Sequence, residues 1–77
     1  MDTAAAANAM RDLVLFSSLP EQHPEYGKDH MLEMINKIDD LKVTGEKSHR
    51  WLGYIQGCVV CYGGATLEDV KNINSTA

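Results

Sequence analysis

No apolar run here is long enough to cross a bilayer: the longest, Leu13 to Phe16 and Cys58 to Tyr62, fall far short of the roughly twenty residues such a helix needs. The chain does not open on a basic region followed by a continuous apolar stretch, so a secretory signal is not supported and the cytoplasm is the default location. Basic residues are scarce. Seven Lys and Arg face eleven Asp and Glu, a net charge of −4, which supplies no field for a phosphate backbone and makes nucleic acid an unexpected partner. The charge is also too small for a nucleic-acid mimic. Only two cysteines are present, and in a reducing compartment they read as thiols. Catalytic signatures are missing too: there is no Ser-His-Asp order with nucleophile-elbow spacing, no phosphate-cradling glycine loop and no H-E-x-x-H. No enzyme activity, no cofactor and no metal are therefore expected.

What is present is globular. Aliphatic and aromatic residues make up 44% of the 77 and charged ones 23%, enough for a single domain. A chain this short buries only roughly 60% of its unfolded surface, and self-association is a natural remedy for the resulting marginal stability. Hydrophobic periodicity predicts an all-α fold, a small three- to four-helix bundle. A first helix from a Thr3 cap to about Ser17 carries Ala6, Met10, Leu13 and Val14 at helical spacing. Leu19 to Gly27, with Pro20 and Pro24, reads as a connector, giving residues 1–18 as first helix, 19–28 as linker and 29–77 as compact core. Asp29 opens a second helix to about Leu41, with Met31, Met34, Ile35, Ile38 and Leu41 in one stripe. The Lys42–Gly45 turn leads to a third helix, Glu46 to Tyr62, stopped by Gly63-Gly64, with Leu52, Ile55, Val59 and Tyr62 as its core face. Thr66 and Asp69 resemble a capping box for a short last helix bearing Leu67, Val70 and Ile73, with Asn74 to Ala77 fraying.

Three constellations on the third helix could carry function. Cys58-Val59-Val60-Cys61 is a C-x-x-C, but redox pairs sit at helix N-termini, where the dipole favours thiolate; this one is near a C-terminus. Structural zinc needs about four ligands, and only the distant His30 and His49 could add to the pair. Buried free thiols are the simpler reading. Gly53 and Gly57 stand four apart, with Cys61 one turn beyond, and each interior glycine costs about 0.5–1 kcal/mol relative to alanine. Close packing against another element of the same domain is the plain use of that face; a dimer seam or a ligand groove is the alternative. Lys47, His49, Arg50 and Trp51, with Tyr54 one turn on, gather bases, an imidazole and an aromatic ring near the helix start, where free amides can hold an anion. The plainer reading is a solvated face with Trp51 covering the core. His23 and His30 read as surface histidines.

The stretch from His49 to Gly57, followed by Gly64 to Lys71, resembles small uncharacterised proteins of tailed phages that carry Leu-Gly-aromatic, Gln-Gly and then Gly-x-x-Thr with an acidic amphipathic end. That resemblance covers about residues 47–74 and implies an accessory protein of the host-cell cytoplasm, with no catalytic residues to carry over. The expected function is stoichiometric binding, as an inhibitor of a host protein or a homo-oligomer. Sequestration of a small anionic signalling nucleotide by Lys47, His49, Arg50 and Trp51 is the alternative.

Overall fold

A computed structural model describes residues 1–77 and contains helices only: α1 (Thr3–Ala9), α2 (Arg11–Phe16), α3 (Lys28–Asp39), α4 (Gly45–Cys61) and α5 (Leu67–Thr76). The expected all-α bundle is what forms. No helix is long and apolar enough to cross a membrane. Its extents are 28 × 26 × 17 Å, so the thin direction holds two helix layers at the usual 8–10 Å interaxial spacing. Each helix in such an arrangement has one covered face and one open one.

The predicted first helix is two segments that meet at Met10, whose N–H bonds to the Ala7 carbonyl at 3.0 Å in a tightened turn. It lies at the centre of the fold, contrary to its expected role as an addition to a core spanning 29–77. α1 packs against α3, α4 and α5, and Ala6, Ala7, Met10 and Val14 are fully buried. The alanines contribute little area each, but their small side chains let α3 approach closely, and the stripe is covered by the chain's own helices, with only Leu13 half-buried. Arg11 fastens α2 to α3 through Asn36 at 2.6 Å and a longer ion pair to Asp39.

The connector is an ordered set of turns. Leu19 is buried with the core, the Lys28 and Asp29 amides donate to the Pro20 and Glu21 carbonyls, and the Asp29 carboxylate accepts from the His23 amide at 3.2 Å. Asp29 thus ties the connector down, while Gly27 is the N-cap of α3.

α3 buries Met31, Met34, Ile35 and Ile38 as the periodicity requires. Leu41 leaves the stripe: the helix stops at Asp39, Leu41 takes a left-handed φ of 60° and is 69% exposed, and Val43 is buried after the turn. α4 ends in a Schellman motif, with Gly64 N–H to Val59 O at 2.9 Å and Gly63 N–H to Val60 O at 3.2 Å; Gly63 has the φ of 75° that this motif asks for. The capping box of α5 forms with both of its bonds, the shorter carboxylate of Asp69 still reaching the Thr66 amide at 2.9 Å. The C-terminus expected to fray is helical to Thr76. Buried Gln56 and half-buried Asn74 exchange two amide hydrogen bonds, and the Asp2 amide donates to the Ala77 carbonyl.

Candidate functional site

α4 turns Ser48, Leu52, Ile55, Gln56 and Val59 into the core. At 100° per residue the opposite side is then occupied by Arg50, Gly53, Tyr54, Gly57 and Cys61, all of which are exposed. A Cβ built on Gly53 or Gly57 meets no atom within 4 Å. Close packing of this face within the domain, the plain expectation, is therefore absent, and the reason is the two-layer architecture: the one face of α4 that meets the core is the other one.

The open face is shaped. Gly53, Gly57 and Cys61 form the floor of two adjoining grooves of about 330 Å³ each. The first is walled by Tyr26, Tyr54, Cys58 and Tyr62, the second by Gln56, Val60, Leu67 and Val70. Because they share one floor, they are two halves of a single apolar trough along α4. The missing glycine side chains make it.

Its tyrosine wall is held in place. The Tyr54 hydroxyl donates to the Glu25 carbonyl at 2.6 Å, and partial desolvation of that hydroxyl, then the neighbouring Cys58 thiol and the Glu25 charge, push its pKa above the usual phenol value. Tyr26 stacks on His23 with centroids 3.6 Å apart and lies beside Tyr62 at 6.1 Å. The His23 ring nitrogen in turn accepts from the Glu25 and Tyr26 amides. Tyr62, expected in the core, is the C-cap of α4 and 40% exposed, while Leu67 on the opposite wall is 62% exposed.

The basic cluster does not assemble. Lys47 Nζ sits over the Trp51 ring at 5.3 Å, His49 Nε2 faces the Thr3 hydroxyl at 3.4 Å on another side of the helix, and Arg50 lies on the open face toward the trough. Lys47, Arg50 and Trp51 line none of the grooves, and His49 lines a separate polar one of about 210 Å³ with Ser48, Thr44 and Asp2. Only Tyr54 of the expected binding set borders the trough. The thiols also depart from expectation: both are free, but Cys58 is half-buried and Cys61 exposed. No group of three or more potential metal ligands occurs. Tyr26, Tyr62 and Leu67 were not expected at a site, because apolar spacing assigns the last two to the core and nothing in the connector marks Tyr26 as a wall.

No family model matches the chain, and no curated protein or solved structure is similar enough to it to support an inference.

Proposed function

We propose that this chain acts by stoichiometric binding, without catalysis, and that the α4 trough is its docking surface for an apolar helical segment of a host protein. One observation carries the reading: two interior glycines, each costing about 0.5–1 kcal/mol of helix stability, gain no contact within the fold that would explain them. A partner backbone approaching α4 explains them. Tyrosine walls suit the role, since a tyrosine ring offers large contact area at low conformational cost and is enriched at interface centres. The phage-type resemblance agrees with a small accessory protein that covers a host surface. Association with a second copy through the same trough is the other form of this function, favoured by the small core of a 77-residue chain. Nucleotide sequestration has less support, because Lys47, His49 and Arg50 diverge around α4.

Gly57→Arg places a long charged side chain on the trough floor while keeping good helix propensity. In native mass spectrometry of protein purified from its own host, the parent chain is expected to carry a stoichiometric protein partner or a second copy. Gly57→Arg, equally helical, is expected as the bare monomer. Identical complexes for both proteins, or a monomer for both, contradict the proposal.

A further inference from the structure

We propose that Cys58 and Cys61 are a dithiol modification site, closed to an intrachain disulfide by exchange with a low-molecular-weight disulfide such as oxidised glutathione. This inference is independent of what the trough binds. The two cysteines are free and three residues apart in the last turn of α4. Helix geometry sets their Cα atoms about 5 Å apart, inside the roughly 4.4–6.8 Å that a disulfide spans. Both line the tyrosine-walled groove, so their side chains share one side of the helix. No third ligand stands near them, which separates the pair from a metal centre within one chain.

The position confines the strain to the end of the helix. α4 ends at Cys61, and the next residues leave the helix through Tyr62 and the left-handed Gly63. Residues three apart on a helix have Cβ atoms about 5–6 Å apart, farther than the roughly 3.5–4.5 Å of a disulfide, so the S–S bond requires the terminal turn, held by the Gly63 and Gly64 amides, to tighten. The electrostatics set the character of the couple. The pair sits at a helix C-terminus and lacks the free amides of a helix N-terminus that stabilise the reduced form of N-terminal C-x-x-C pairs and make them strong oxidants. The product is a stable disulfide and not a catalyst.

The chemistry balances in two exchanges. Cys61, the exposed thiol, attacks one sulfur of the small disulfide as its thiolate, forming a mixed disulfide and releasing one small thiolate that takes up the Cys61 proton. Cys58 then loses its proton and attacks Cys61 Sγ, forming the intrachain bond and expelling the second small thiolate, which is protonated in turn. Two protein thiols are oxidised and one small disulfide is reduced to two thiols.

The test is incubation of the folded full chain with oxidised glutathione, followed by intact mass and alkylation under denaturing conditions, with Cys58→Ser run in parallel. The expected product of the parent chain is a monomer lighter by two hydrogens with no alkylatable thiol. Cys58→Ser is expected to stop at the mixed disulfide on Cys61. A persistent glutathione adduct on the parent chain, a disulfide-linked dimer, or two unreacted thiols overturns the proposal.

Discussion

Ile35→Ala is expected to lower stability by about 2–5 kcal/mol, among the largest single effects in this molecule. Ile35 is fully buried on α3, the helix that packs against α1, α2 and α4, so no one neighbour can collapse into the space without losing another contact. A domain of 77 residues has roughly 4–12 kcal/mol in total at about 0.05–0.15 kcal/mol per residue. The variant therefore loses a large share of the total, and a urea titration at 25 °C should show either a much lower midpoint or no folded baseline. A loss below about 1 kcal/mol would mean that the packing around α3 is loose, and the two-layer core would have to be redrawn.

Gly64→Ala is also expected to destabilise the fold. The added methyl would sit 2.7 Å from the Leu13 carbonyl oxygen and the Ser17 Cβ and 2.8 Å from Val59 Cγ1, closer than van der Waals contact allows. The Leu13 oxygen belongs to backbone already engaged as an acceptor for the Ser17 amide. It cannot swing aside as a side-chain tip would, so α2 and the end of α4 must separate. Overpacking of this kind costs about 1–3 kcal/mol, roughly 4–8 °C of Tm per kcal/mol for a domain of this size. Gly64 is thus a glycine that the fold itself requires for space, between the Schellman turn of α4 and the end of α2, as is Gly27, where an added Cβ would run into the His23 amide nitrogen and the Asp29 carboxylate. An unchanged melting temperature would show that these two elements do not touch.

The helices were legible in the sequence because their local signals agree. The Thr66–Asp69 box, the Gly63-Gly64 stop and the apolar stripes of α3 and α4 each specify the same structure that packing then stabilises. Leu41 and Tyr62 were misplaced for one shared reason: apolar spacing continues past the point where the backbone leaves the helix, and periodicity cannot see a left-handed φ at Leu41 or a C-cap at Tyr62. The N-terminal segment was misjudged because Ala6 and Ala7 carry little hydrophobic weight individually. Their burial follows from how closely another helix can approach, which is a property of the pair.

The trough was half legible. Gly53, Gly57 and Cys61 stood out as a small-residue face, and Tyr54 as a neighbour, but whether that face was covered depended on how many layers the helices form. Tyr26 arrives from the connector and Leu67 from α5, at separations that no local pattern links to α4. The basic cluster failed for the opposite reason. Lys47, His49, Arg50 and Trp51 are adjacent in sequence, and on a helix adjacency sends side chains in different directions.

Docking on α4 requires that its glycine face be open in the folded chain. Denaturation midpoints of Gly53→Ala and Gly57→Ala test it most directly, taken at a concentration where sedimentation gives a monomer. With nothing within 4 Å of either Cβ, each substitution is expected to stabilise the monomer by about 0.4–1 kcal/mol, because alanine restricts the unfolded chain and meets no obstacle in the folded one. A loss of about 1–3 kcal/mol at either position, the signature of overpacking, would contradict the account by placing another element of the chain against that face.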